Sequence, residues 1–327
     1  MISIIIPVYN LEHYIDQCLN TVLSQTFKNY EVIVVDDCST DKTLDIVETF
    51  LPRFDGRLKI HQLKKNSNDG GATPKNFGLK FSRGKYVLFI DGDDLLISTA
   101  LEHFHDAAEE FKADLVFTEK FFQFNDRGLI PEKHELHLHN QVPNPVDKPT
   151  LVEDDTAEKI RQYIGGKIIG FHWNKLIRRD FLIEHGIEFS MMPIRHDAIF
   201  SFECFCLARA VKIPNAANLY RVNRLGSVAD RSDLSEDRLR RWIQDTLLGV
   251  KALYEFSRDV EFFAEHESAQ YDVIRWHIKS NFDLMMKYFY KKFSPEQMFS
   301  ILMEEFSKDP AGFLPISAAL FNMANGE

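Results

Sequence analysis

Four strand-like runs separated by helical patterns fill the first hundred residues, and no other feature narrows the fold as much. The runs are residues 2–6 (ISIII), 31–35 (EVIVV), 58–63 (LKIHQL) and 86–90 (YVLFI). The first, second and fourth are β-branched, aromatic and almost uninterrupted by polar residues, the pattern of strands buried on both faces of a largely parallel sheet. Pro7 is expected to close the first strand. After it, Leu11, Ile15, Cys18, Leu19, Val22 and Leu23 recur at helical spacing to about Ser24. A second helix is read from about Lys42 to Phe50. A third starts with Thr73 as cap and Pro74 at the first helical position, and runs to about Ser82. The fold class is therefore α/β with a mostly parallel central sheet.

Open sheets of this kind place ligands at the carboxyl ends of their strands. Here those ends carry acidic clusters, Asp36-Asp37 after the second strand and Asp91-Gly92-Asp93-Asp94 after the fourth. If the backbone stays extended, Asp91 and Asp93 point to one side, and Gly92 lets a ligand approach the main chain closely. Two carboxylates on one face repel unless a cation lies between them, and hard oxygen ligands suit Mg2+ or Mn2+. The structural alternative is a turn in which Asp93 or Asp94 caps a helix starting near Ser98. Asp37, at a strand end, can accept hydrogen bonds from a base N–H or from ribose hydroxyls.

The first strand-helix connection, Pro7-Val8-Tyr9-Asn10, contains no glycine. It is not the glycine-rich cradle of a dinucleotide fold, and no Walker P-loop occurs elsewhere. A net charge of −10 argues against a nucleic-acid-binding surface, which needs a basic stripe, and none is visible in the sequence. No run is long enough to cross a bilayer and no signal peptide is read, so a cytoplasmic location is expected. Cys18, Cys38, Cys204 and Cys206 lack metal-ligand spacing and are read as reduced thiols.

Further on, a helix is expected over Ala100–Phe111 and a strand over Asp114–Thr118. Residues 121–138 read as a hairpin around Asn125-Asp126-Arg127-Gly128. At its end, His137 and His139 share a strand face and His134 lies nearby. No cysteine or acidic partner completes a zinc site there, so an exposed arm is the better reading. Residues 141–150 form a loop leading to a helix near Thr156–Tyr163. A further amphipathic helix, Ile199–Leu207, follows Asp197, a natural cap for it.

SIIIPVYN, EVIVVDDCSTD, a helix ending in NFGL, and GKYVLFIDGDD, in this order, strongly resemble the family 2 glycosyltransferases. The loop KKNSNDGGATPKNFGL is similar to bacterial wall-polymer enzymes of that family. The resemblance implies a GT-A fold, with residues 1–234 as catalytic domain (1–95 nucleotide-sugar-binding, 96–234 acceptor-side) and 235–327 as a helical region. It implies that Pro7, Val8 and Tyr9 line the base pocket and that Asp37 bonds the uracil of a UDP-sugar. Asp91 and Gly92 would face the donor, and Asp93 with Asp91 would hold Mn2+ or Mg2+. Lys75, before Asn76, stands where the family often has arginine, supplying a point charge without a planar fork. FHWNKLI resembles the W-N-K-L segment. In IRHDAIF, His196 replaces the usual Glu and Asp197 keeps the Asp, so Asp197 is the expected base and His196 the second candidate. Tyr220-Arg221-Val222-Asn223, with Ser227, resembles the motif closing the catalytic domain, and Arg221 and Arg224 are candidates to neutralise the departing diphosphate.

After Leu234 only helical patterns remain. Trp242, Leu247, Val250, Leu253 and Tyr254 form one stripe, and Val273–Tyr290 carries Trp276, Phe282, Met285, Met286, Phe289 and Tyr290. Such stripes serve as core, as a homo-oligomer contact, or as a peripheral membrane contact aided by Lys287, Lys291 and Lys292. The expected activity is inverting, metal-dependent transfer of a hexosyl or N-acetylhexosaminyl group from a UDP-sugar to a hydroxyl of a bacterial surface glycan or polymer. The alternatives are a sugar nucleotidyltransferase, for which PVYN lacks the glycine-rich basic loop, and a non-catalytic nucleotide-sugar-binding scaffold.

Overall fold

A computed structural model of the chain describes residues 1–125, 128–129, 145–222 and 233–308. The strands are β1 (Ile2–Val8), β2 (Tyr30–Asp36), β3 (Leu58–Gln62), β4 (Tyr86–Phe89), β5 (Leu95–Leu96), β6 (Leu115–Phe117), β7 (Phe122–Asn125), β8 (Gly128–Leu129), β9 (Thr150–Leu151), β10 (Lys175–Arg178), β11 (Ala210–Lys212) and β12 (Asn218–Arg221). Among the described residues they form an eight-stranded sheet, in the order β3-β2-β1-β4-β10-β6-β11-β9, and a four-stranded one, β5-β12-β7-β8. Within the large sheet β10 runs antiparallel to β4 and β6, and β9 runs antiparallel to β11. The other neighbours are parallel.

Both faces of this sheet are covered, which is why β1, β2 and β4 are apolar throughout. Alternate residues of β1 divide between two cores. Ile2, Ile4 and Ile6 pack with Ile15, Leu19, Leu101 and Phe104 on one side, and Ile5 joins Phe89, Leu79, Phe200 and Phe205 on the other. Pro7 does not close β1, which continues to Val8. Ile5 carbonyl accepts from Ile90 N–H on the β4 side, and Val8 carbonyl accepts from Asp37 N–H on the β2 side. Pro7 therefore faces the β4 side, two residues past the last β1–β4 pair, Ile5 with Phe89. Its missing N–H removes no ladder bond there.

The hairpin around residues 125–128 is present, with Phe124 opposite Leu129 and Asn125 opposite Gly128. His134, His137, His139 and Arg224 lie outside the described residues.

The C-terminal helices Glu236–Asp259 and Glu267–Phe289 pack onto the body of the protein. Leu253, Phe263 and Val273 share a core with Phe89 and Phe205, and the Trp276 ring lies 5.4 Å from that of Tyr163. The two helices approach closely at Gly249, where a Cβ would stand 2.3 Å from His277 Nε2. Much of the aromatic stripe is thus core. Met286, Tyr290, Phe299 and Met303 remain exposed. Among the described residues no helix is long and apolar enough to cross a membrane.

Candidate active site

The residues after β4 are not extended. Asp94 N–H donates to Asp91 carbonyl at 3.0 Å, closing a tight turn, so the same-side argument for Asp91 and Asp93 does not hold. Gly92 is required by packing: a Cβ there would lie 2.8 Å from Leu11 Cδ1 and 3.0 Å from Val8 Cγ1. Asp94 does not cap the helix Ala100–Phe111, whose N-cap position is Thr99. It is buried, and its Oδ1 accepts from Arg221 N–H at 2.8 Å. Burial and the neighbouring Asp93 and Asp91 push its carboxyl well above the usual range.

Asp91 is the electrostatic centre. Its carboxylate, 34% exposed, has Lys75 Nζ at 3.6 Å and His172 Nε2 at 3.3 Å. Burial alone would raise its pKa, but the charge of Lys75 foremost, together with His172 beside it, holds it well below the ordinary carboxylate value. Lys75 and His172 are themselves buried, so a carboxylate open to solvent is backed by a cation inside the protein. His172 was not singled out in the sequence. The available signal was its position in FHWNKLI. Lys175 of that motif donates to the carbonyls of Ile169 (2.8 Å) and Phe171 and to Asn174 Oδ1 (2.8 Å), which folds this segment so that it presents His172. Burial lowers Lys175 to about 7.

His196 and Asp197 open the helix His196–Leu207. Its cap position is Arg195, a non-glycine residue at φ 65°, so Asp197 is not the cap. His196 Nδ1 lies 3.0 Å from Met192 carbonyl and its Nε2 lies 3.2 Å from Lys75 Nζ. Since a carbonyl only accepts, Nδ1 carries the proton and Nε2 accepts from Lys75. Burial and the Lys75 charge lower His196 to about 4. Asp197 is partly exposed, with Oδ1 accepting Ala198 N–H at 2.9 Å. Its charge acts on His172 and Tyr220, as does that of Asp91, which puts the two carboxylates in one neighbourhood.

The C-terminal helices hold this segment. Arg195 Nη2 donates to Ser280 Oγ at 3.2 Å, and Asp245 takes a backbone hydrogen bond from Ile194. Burial pushes the Asp245 carboxyl up to about 7, against the partial relief of Arg238 and Arg241. The folded state thus binds more protons than the unfolded state between about pH 4, the ordinary carboxylate value, and pH 7, and stability falls as pH rises through that window. Asp245→Asn keeps an acceptor for Ile194 and removes the charge. It is expected to raise the melting temperature at pH 8 and change it little at pH 4. An identical difference at both pH values would contradict this.

Around Asp37 the loop after β3 is tightly tied. Asp37 is buried. Its Oδ1 accepts Ser67 N–H at 2.9 Å, its Oδ2 lies 2.8 Å from Ser67 Oγ, and its carbonyl accepts from Asn66 Nδ2 at 3.0 Å. Burial raises its carboxyl although the Ser67 hydrogen bonds oppose this. Asp69 Oδ2 accepts Thr73 N–H at 3.0 Å, so Asp69 rather than Thr73 satisfies the start of the helix Ala72–Phe81. Gly70 is required twice over, with φ 67° and a would-be Cβ 2.3 Å from Pro193 carbonyl oxygen. A cleft of about 450 Å³ opens here, lined by Lys64, Lys65, Ser67, Asp69, Met191 and Pro193 among others. Tyr9 is exposed and Val8 buried, while Pro7 lies beside Gly71. Both ends of the Asn76 amide bond the Phe189 backbone, at 2.8 and 2.9 Å, which joins this helix to the segment that precedes the helix His196–Leu207.

Arg221 is built into the turn. Its Nε donates to Asp93 carbonyl at 3.0 Å and its Nη2 to Gln17 Oε1 at 2.8 Å. Its guanidinium lies 4.6 Å from the Tyr14 ring centroid and 4.3 Å from that of Phe124. Among the described residues no three His, Cys, Asp or Glu side chains form a complete metal cage. The donor set of Asp91 and Asp93 still fits a hard divalent cation, because Mg2+ at a diphosphate typically takes one or two carboxylates and completes its shell with phosphate oxygens and water.

A model described as Glycosyl transferase family 2 matches residues 3–186. The protein named as glycosyltransferase EpsH of Bacillus subtilis (strain 168) is 31% identical over 235 residues, 70% of this chain and 63% of that protein. A poly(ribitol-phosphate) beta-glucosyltransferase of Bacillus spizizenii is 28% identical over 84% of this chain and 40% of its own length. The chain thus spans less than two thirds of these relatives. Among solved structures, S. aureus TarS 1–349 in complex with UDP-GlcNAc superposes with a TM-score of 0.69 at 25% identity, covering 93% of this chain and 80% of that one.

Proposed function

This chain belongs to glycosyl transferase family 2 and has the GT-A fold, and from that premise we propose that it transfers a sugar from a UDP-linked donor to a hydroxyl of a bacterial surface glycan or polymer, with inversion at the anomeric carbon. The observation that carries this reading is Asp91, kept ionised at the end of β4 by buried Lys75 and His172, in one turn with Asp93 and in the neighbourhood of Asp197. Asp91 and Asp93 would hold a divalent cation. When bound, it supplies positive charge to the departing diphosphate. Arg221 fixes the turn from behind through Asp93 carbonyl. Asp197 takes the proton of the acceptor hydroxyl, whose oxygen bonds to the anomeric carbon as the bond to the diphosphate oxygen breaks on the opposite face.

The test is UDP release across a panel of UDP-sugars with and without Mn2+. Slow donor hydrolysis without acceptor is expected for at least one sugar. Silence across the whole panel would favour the scaffold alternative.

Asp37 keeps lone pairs beyond those used by Ser67 and is proposed to accept from the uracil. Asp37→Ala is expected to weaken UDP binding by about 1.5–3 kcal/mol, the range for hydrogen bonds to charged groups. Equal affinities by calorimetry would remove it from the base pocket. Peripheral contact with a membrane bearing the acceptor is supported by exposed Met286, Tyr290 and Phe299 alongside Lys287, Lys291 and Lys292.

A further inference from the structure

We propose that His196 is a positioning residue, whose Nε2 sets the Lys75 ammonium against Asp91 and thereby ties the start of the Asp197 helix to the turn that receives the donor. The proposal rests on the reading of Asp91 as a donor-side group. Lys75 is 2% exposed, and a buried ammonium requires acceptors. Those present are His196 Nε2 at 3.2 Å and Asp91 Oδ1 at 3.6 Å, with the Phe189 ring centroid at 5.3 Å. The imidazole is a rigid strut because its other nitrogen is anchored on Met192 carbonyl at 3.0 Å. With one nitrogen protonated and the lone pair of the other directed at Lys75, the ring has no site for a proton from the acceptor sugar. That proton goes to Asp197.

The strut also matches the two side chains to each other. A guanidinium at position 75 presents a planar fork and needs two acceptor atoms, which an imidazole lacks and a carboxylate at 196 supplies. Each replacement alone breaks the arrangement, and the two together rebuild it in a different chemistry.

The experiment measures kcat, donor KM, UDP affinity and melting temperature for His196→Gln, His196→Phe, His196→Glu and Lys75→Arg/His196→Glu. His196→Gln still offers an oxygen to Lys75 but cannot serve as a base. It is expected to lose no more than about tenfold in kcat/KM, whereas His196→Phe, with a ring but no acceptor, loses roughly 30-fold or more, mainly in donor KM and UDP affinity. His196→Glu alone should fall similarly, because it draws Lys75 away from Asp91, and the double variant should recover to within about tenfold of wild type. Equal loss in His196→Gln and His196→Phe would overturn the proposal in favour of a base. A wild-type-like His196→Phe, or a double variant no better than His196→Glu, would overturn it without favouring a base. Imidazole 15N NMR of the nucleotide-free protein gives a readout independent of turnover: the Nδ1–H tautomer is expected, with an Nε2 resonance that moves in Lys75→Met. A wild type inert toward every nucleotide sugar but with this signature would sink the donor reading and leave the strut, whereas an Nε2–H tautomer would sink the strut itself.

Discussion

Asp197→Asn is expected to lower acceptor-dependent transfer by about 10²- to 10⁴-fold, the usual contribution of a positioned base, with UDP-sugar binding and melting temperature close to wild type. Asparagine retains the oxygen that accepts Ala198 N–H. The helix start depends on Arg195 rather than on residue 197, so the substitution removes little more than one favourable first-turn charge, worth about 0.3–1 kcal/mol. What it removes from the chemistry is the proton acceptor. Donor hydrolysis without acceptor should decline much less than transfer, because water can lose its proton to solvent. A folded Asp197→Asn protein with near-normal transfer would end the assignment, and the strut geometry of His196 leaves no second base in the same motif.

Asp93→Asn is expected to abolish most turnover, by about 10²-fold or more, since a cation at a leaving diphosphate contributes several kcal/mol. The fold should survive, because the turn is held by groups other than this carboxylate: Asp94 N–H on Asp91 carbonyl, Arg221 Nε on Asp93 carbonyl and Arg221 N–H on Asp94 Oδ1. The measurement is UDP calorimetry with and without Mn2+ in both proteins. Wild type should bind UDP more tightly with the metal and the variant should lose that increment. An undiminished Mn2+ effect in Asp93→Asn would refute the ligand role.

The fold and family were legible because strands buried on both faces leave an unmistakable apolar signature, as in Ile2–Val8, Tyr30–Asp36 and Tyr86–Phe89. Of the second sheet only the β7–β8 hairpin was. Leu95–Leu96 is too short to carry a period, and the pairing of Asn218–Arg221 with Phe122–Asn125 and with Leu95–Leu96 joins segments about 95 and 120 residues apart. The importance of the DGDD stretch was legible, but its shape was not, since an i to i+3 backbone hydrogen bond leaves no mark on residue identity. Arg221 was expected at the diphosphate because its motif resembles the family segment that closes the catalytic domain. The Tyr14 and Phe124 rings that its guanidinium packs against could be seen only in three dimensions. His172 was missed for the same reason, its partner Asp91 lying 81 positions upstream.

The central place of β10 has a consequence for the order in which the chain leaves the ribosome. β4 is flanked on one side by β1, available from the first residues, and on the other by β10, Lys175–Arg178. Until those residues emerge, the strand Tyr86-Val87-Leu88-Phe89 presents an unpaired apolar edge, the kind of surface that nascent chains lose to aggregation or shield with chaperones. The β1–β2–β3 ladder can therefore gather early, but the chain stays adhesive through β4 until Lys175–Arg178 has been synthesised.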